Sequence, residues 1–270
     1  MEKLLKLFLS ILVLFSLFSC KNDKEQSLEI LEYGKYYQGS SQSLNALSRA
    51  AELDSTNAEI YRELSIPYLK RGLPHIWKKH IDKAVLLNPI EWQGFRGYNY
   101  LWFYRDYKKA IADFDASDTL TPNFIDAPQG HSVDYWRGIA YLGLKNYEKS
   151  NWYFEKHITK ETEDFGEDYV DVTAFLYNGI SYFEAENYEK ALLNFEKQLK
   201  YSRNLSADAK YYKAMLLNID NQVEESKMMI DSAIIDFNSG YYNNRPYVET
   251  LRQIYLEDLE NFKNQLQLPK

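Results

Sequence analysis

Apolar residues recur along this chain at the three- and four-residue spacing of amphipathic helices, in bursts divided by short polar turns. The chain reads NYEKALLNFEKQL at 187–199, NYEKSNWYFEKHI at 146–158 and DYKKAIADFDASD at 106–118. Each phrase sets a small residue four positions before an aromatic one: Ala191 and Phe195, Ser150 and Phe154, Ala110 and Phe114. Each also follows a second apolar burst, as in VTAFLYNGISYFEAE before the first phrase, so the predicted unit is a pair of helices. A helical pair cannot bury its apolar face alone, whereas stacked pairs share one continuous core.

Taking a recurring position in the first helix of each unit as a marker gives Leu31, Ser65, Tyr98, Gly138, Gly179 and Ala214. Successive steps are 34, 33, 40, 41 and 35 residues, so about six pairs are expected. The two long steps place insertions at 121–132 (TPNFIDAPQGHS) and 159–171 (TKETEDFGEDYVD), both between pairs. Glycine inside a helix costs roughly 1 kcal/mol. Gly138 and Gly179 are therefore expected where the partner helix crosses too closely for a side chain. Leu31 and Tyr98 break the small-residue rule. From Pro246 the pattern predicts one terminal helix with Val248, Leu251, Ile254 and Leu259 on its apolar side.

These units resemble the tetratricopeptide repeat (TPR), with its small–aromatic–Ala–aromatic pattern at Gly179, Tyr182, Ala191 and Phe195 and at Gly138, Tyr141, Ser150 and Phe154. The resemblance implies an all-α, right-handed α-solenoid of about six TPR-like helix pairs with a C-terminal capping helix, over residues 28–270. It also assigns Gly138, Ser150, Phe154, Gly179, Ala191 and Phe195 to repeat packing.

Residues 1–20, MEKLLKLFLSILVLFSLFSC, differ from the rest: Lys3 and Lys6 precede a short apolar run. The run is too short for a permanent span of the bilayer, which takes about 20 apolar residues, and has the layout of a secretory signal. Its end, Leu17-Phe18-Ser19-Cys20, resembles the lipobox of bacterial lipoproteins. That resemblance implies a signal peptide at 1–19, acylation of Cys20 and a lipidated tether at 20–27. The competing reading is an ordinary secreted protein with an incidental cysteine. Lys21 and the polar residues after it resemble Gram-negative outer-membrane lipoproteins of the Bacteroides–Flavobacterium group, with a periplasmic or surface-facing body. The lipid is then the membrane attachment.

Charge narrows the partners. The chain carries 39 acidic and 32 basic side chains; without residues 1–19 the balance is 38 to 30. Phosphate binding needs a basic footprint, so nucleic acid is not expected as the main partner. His75 and His80 are five apart and do not share a helical face, and His131 and His157 lie in different repeats. The carboxylates at 161–171 lack a calcium-loop frame. No phosphate cradle, nucleophile elbow or C-x-x-C is present. A non-enzymatic protein without metal or cofactor is expected.

Aromatic content is the unusual quantity, with 24 tyrosines and 5 tryptophans. In TPR proteins particular first-helix positions line a concave groove. Carried over, they are Arg62, Ile66, Trp92, Phe95, Asn99, Trp102, Phe103, Tyr135, Ile139, Leu176, Ile180, Phe183, Tyr211 and Met215. The stripe either seals repeat onto repeat or lines a groove for a protein partner, whose identity the sequence does not give. The expected function is a protein-binding scaffold or adaptor at the cell envelope that docks a peptide or helix. The alternative is a glycan-binding or glycan-handling lipoprotein, since aromatic faces also suit sugars.

Overall fold

The repeated NYEK phrase is a helix start. The computed structural model describes residues 22–267. In it the Asp106, Asn146 and Asn187 side chains accept from the backbone N–H of Lys109, Lys149 and Lys190, at 3.2, 3.1 and 3.3 Å. Each thereby satisfies one of the donors that a helix N-terminus leaves open. The residue before each cap, Arg105, Lys145 or Glu186, has φ between 52° and 58°. A single left-handed residue followed by an N-cap turns the chain back on itself.

Among the described residues there are thirteen α-helices and no strand. They are α1 (Asp23–Lys35), α2 (Ser41–Leu53), α3 (Ala58–Lys70), α4 (Pro74–Leu87), α5 (Pro89–Phe103), α6 (Tyr107–Leu120) and α7 (Val133–Gly143). There follow α8 (Tyr147–Phe165), α9 (Val172–Glu184), α10 (Tyr188–Tyr201), α11 (Ala207–Ile219), α12 (Val223–Asn238) and α13 (Leu256–Gln265). Successive helices pack in six pairs from α1/α2 to α11/α12, the α5/α6 pair through Gly97 on Phe114 and Arg96 on Asp113, with α13 packed on α12. This is the all-α, repeat-built architecture that the periodicity predicts. The chain divides into two units, one ending at Trp92 and the other starting at Gln93.

The crossings explain the glycines. A Cβ at Gly138 would stand 2.8 Å from the Phe154 ring, and one at Gly179 would stand 2.6 Å from that of Phe195. Ser150, Phe154, Ala191 and Phe195 are fully buried in these two pairs, and Ser150 Oγ donates to the Gly138 carbonyl at 2.9 Å. The two pairs that lacked a small marker have one beside it. A Cβ on Gly97 would meet Phe114 at 2.8 Å, and one on Gly34 would meet Leu47 at 2.8 Å, while Ser43 Oγ donates to the Gly34 carbonyl. The crossing residues of repeats one and three are thus Gly34 and Gly97, not Leu31 and Tyr98. Gly34 stands 13 residues and Gly97 17 residues before the side chain it meets, against 16 for Gly138 and Gly179, so counting at fixed spacing landed off the contact.

Two further expectations are corrected. Residues 23–27, read as tether, are helical: Asn22 Oδ1 accepts from Glu25 N at 3.0 Å, and Ser27 is buried with its Oγ on the Ala50 carbonyl. The terminal helix begins at Leu256, not Pro246, and residues 241–255 form no regular structure. Proline biases the preceding residue towards extended backbone, and Tyr247 and Arg252 have φ of 72° and 57°. Leu251, Ile254 and Leu259 are buried, but the first two belong to this irregular segment. Cys20 and the segment 1–19 lie outside the described residues.

Candidate functional site

The predicted stripe divides between the two units. In the first, the Arg62 guanidinium lies 5.1 Å from the Trp92 ring centroid and pairs with the buried Glu63, beside a half-buried Ile66. In the second, Phe95, Asn99, Trp102, Tyr135, Ile139, Leu176 and Ile180 are buried, while Phe103, Phe183, Tyr211 and Met215 are half-buried. The aromatic members pack between neighbouring helices. Trp102 meets Trp136 edge-on at 6.1 Å, Phe183 meets Tyr212 at 5.4 Å, and Tyr211 meets Phe262 of α13 at 5.9 Å. Tyr135 shares a 2.6 Å hydrogen bond with Thr173 of α9.

Part of this first-helix face in the second unit is covered by the chain itself. After α12, Gly240 (φ 85°) turns the backbone, and residues 241–255 run as a strap touching α5, α7, α9 and α11. The Tyr241 carbonyl accepts from Ala207 N at 2.8 Å. Asn243 donates from its backbone to Asp208 at 2.7 Å and from its amide to the Tyr177 hydroxyl at 2.9 Å. Arg245 enters an aromatic cage, its guanidinium carbon 4.6 Å from the Trp102 centroid, 5.5 Å from Tyr98 and 5.6 Å from Trp136. It also donates to the Tyr98 hydroxyl at 2.5 Å. Arg105 donates to the Glu249 carbonyl, and Arg252 forms a forked pair with Glu184. Cation–π contact over several rings favours a guanidinium, which is planar and sheds water more readily than an ammonium.

Burial sets the electrostatics beneath the strap. Asp208, enclosed at the start of α11, has its pKa pushed up to about 7 by loss of water, opposed by the hydrogen bond from Asn243. Burial likewise pushes Tyr177 up to about 12. Near pH 7 Tyr177 is therefore neutral and Asp208 is about half protonated, while Arg252 and Glu184 form the strap's ion pair.

The two insertions flagged in the sequence meet. A pocket of about 1030 Å³ is lined from one side by Thr121, Phe124, Ile125 and His131, and from the other by Phe165, Tyr169 and Asp171. His157 also lines it, its Nδ1 3.0 Å from Ser132 Oγ, and burial lowers its pKa to about 4. His131 stacks on Tyr135 at 4.4 Å. Among the described residues, no group of three or more His, Cys, Asp or Glu side chains is placed to hold a metal ion.

With helix pairs, glycine–phenylalanine crossings and first-helix face in place, comparison with solved structures is decisive for the fold. PilW, described as a widely conserved type IV pilus biogenesis factor, superposes with a TM-score of 0.63 at 13% identity, over 82% of this chain and 96% of its own. PilF of Pseudomonas aeruginosa gives 0.61 at 16% identity, over 82% and 94%. A tetratricopeptide repeat protein from Parabacteroides merdae gives 0.56 at 15% identity, over 90% and 84%. This chain has the TPR fold. No protein-family model and no curated protein matches its sequence.

Within that TPR frame, Asn243, Arg245, Glu249 and Arg252 are the site residues that sequence reasoning missed. The usable signal was the run NSGYYNNRP at 238–246, rich in residues that turn or extend the chain. No pattern in it names Tyr98 or Tyr177 as partners.

Proposed function

We propose that this protein is a non-enzymatic scaffold at the cell envelope, held there by lipid on Cys20, that docks a protein segment on the first-helix face of its TPR repeats. The observation that carries the reading is the strap: this face already holds an extended polypeptide through main-chain hydrogen bonds and an arginine cage. Rigid aromatic surface of this kind gives binding area at little entropic cost. The fold shared with PilW, a type IV pilus biogenesis factor, supports a role in envelope assembly by analogy only. The apolar run ending at Cys20 supports the anchor and an outer-membrane location.

Photo-crosslinking side chains at Phe103, Phe183 and Met215 test the docking in native membranes. One protein should be captured from these positions and not from Leu193 or Ile235, which are exposed on the second helices α10 and α12. Equal capture from both faces, or no protein adduct, refutes it. Acyl mass on a peptide beginning at Cys20 tests the anchor; an intact N-terminus through residues 1–19 refutes it.

The glycan reading rests on a different place. The insertion pocket sets Asn123, Glu161 and Asp164 beside Phe124, Phe165 and Tyr169, whose rings are exposed. Binding of an envelope glycan that is lost in F165A/Y169A carries that reading, and unchanged binding removes it.

A further inference from the structure

The strap is unevenly held. Its later part is core: Thr250, Leu251 and Ile254 are at most 6% exposed. Its earlier part is a loop, Asn244–Glu249, in which Asn244, Pro246, Tyr247 and Glu249 are exposed. The loop is closed at its base, where Thr250 Oγ1 donates to the Asn243 carbonyl at 3.4 Å, and Asn243 is fixed on Asp208 and Tyr177. A cavity of about 440 Å³ lies against it, with Asn244, Arg245, Val248 and Glu249 among its walls. Beyond its base the loop is held by Arg245 in the cage, by the Glu249 carbonyl on Arg105 and by the Tyr255 hydroxyl, which donates to the Glu249 carboxylate. An outward swing of the loop breaks these contacts and leaves both base anchors in place.

We propose that the Tyr98–Trp102–Trp136 cage is a docking site for an arginine-bearing, extended segment of a partner protein, and that Asn244–Glu249 fills it in cis until such a segment displaces it. Three observations fix the partner's chemistry. The present occupant is an arginine in cation–π contact with three rings and with one hydroxyl acceptor, Tyr98. It is followed by proline, which keeps the residue before it extended. The chain carries a formal charge of −7, which steers cationic segments towards it. The cis loop lowers the apparent affinity of any competitor by the fraction of molecules in which the cage is open. The proposal rests on the scaffold reading and adds the identity of the docked group.

The test uses purified protein and a fluorescent octapeptide of this chain's own sequence from Asn243 to Thr250, with the arginine kept, changed to lysine or changed to alanine. Fluorescence anisotropy is read on wild type, on R245A, and on a variant whose residues 244–249 are replaced by a Gly-Ser loop of equal length. Both altered proteins are expected to bind the arginine peptide about tenfold more tightly than wild type does, because their cage is open. The lysine peptide should bind more weakly and the alanine peptide hardly at all. Y98F in the R245A background should weaken the arginine peptide and leave the alanine peptide unchanged, since the alanine side chain has no donor for the hydroxyl. Equal affinity for wild type and R245A overturns the proposal, as does an alanine peptide that binds as well as the parent. If R245A loses its helical circular dichroism, the Gly-Ser variant decides; loss in both means that the loop is structural and overturns it too. A failure here leaves the membrane crosslinking result untouched, so the cage and the scaffold reading fall separately.

Discussion

Replacing Gly179 by alanine sets two opposing effects of known size against each other. In an unconstrained helix interior the change favours folding by about 1 kcal/mol. Here the new Cβ would stand 2.6 Å from Phe195 Cε1 and 2.8 Å from Cδ1. Carbon pairs rest at about 3.5–4.0 Å, so the ring has to retreat by about 1 Å. It has nowhere to go: Phe195 is fully buried and its other face stacks on Tyr212, with centroids 5.4 Å apart and planes 15° apart. Overpacking of this kind costs about 1–3 kcal/mol, and backing by a second ring puts this site near the upper end. The net effect of G179A is expected to be a loss of about 2 kcal/mol. F195L removes the ring edge that the methyl meets. In that background G179A should become neutral or stabilising by up to about 1 kcal/mol, as propensity alone dictates. Urea denaturation followed by circular dichroism gives the totals. Amide exchange over α9 and α10 localises them, because repeat arrays open in segments. The reasoning fails if G179A stabilises the wild type, or if it costs the same in both backgrounds.

Arg137 is buried among Asp134, Asp115, Asp118 and the Phe114 carbonyl. R137A should therefore cost about 1.5–3 kcal/mol, read by urea denaturation, because it removes charge-assisted hydrogen bonds while Lys156 still pairs with Asp134 at 2.8 Å. Asp208 binds a proton more tightly in the folded chain, with a pKa of about 7 against an ordinary value of 3.8. Its stabilising contribution is full below about pH 4 and is lost as pH rises through about 7, a swing of up to about 4 kcal/mol. D208N should flatten that part of the stability–pH curve between pH 4 and 8, and an unchanged slope refutes the assignment. G97A should destabilise α5/α6 by about 1–2 kcal/mol, because its Cβ meets Phe114, and exchange rates of α6 amides report it.

Much of this molecule is written locally. The caps Asn146 and Asn187, the small residues Ser150 and Ala191, and the rings of Phe154 and Phe195 lie within a few residues of one another, so their spacing reports helix, turn and face directly. Gly138 and Gly179 were legible for the same reason: each meets a ring 16 residues away in its own pair. Gly34 and Gly97 were missed because each stands at a different separation from its contact, 13 and 17 residues against 16, and only the crossing itself reveals it. The aromatic stripe was legible as a set of positions, while its degree of burial was not. Whether Trp102 or Ile180 faces water depends on the neighbouring repeat and on the strap, neither of which leaves a period in the sequence. The strap lay furthest from sequence reasoning. Arg245 reaches Tyr98 across 147 residues and Asn243 reaches Tyr177 across 66. The chain after Pro246 kept enough apolar residues at helical spacing to read as a helix, and those residues are buried even so. By itself the sequence determined the helix pairs, because a turn, a cap and a crossing are interactions between near neighbours. The tertiary structure alone decided what lies on the first-helix face, because that contact joins segments whose separation along the chain carries no repeating signal.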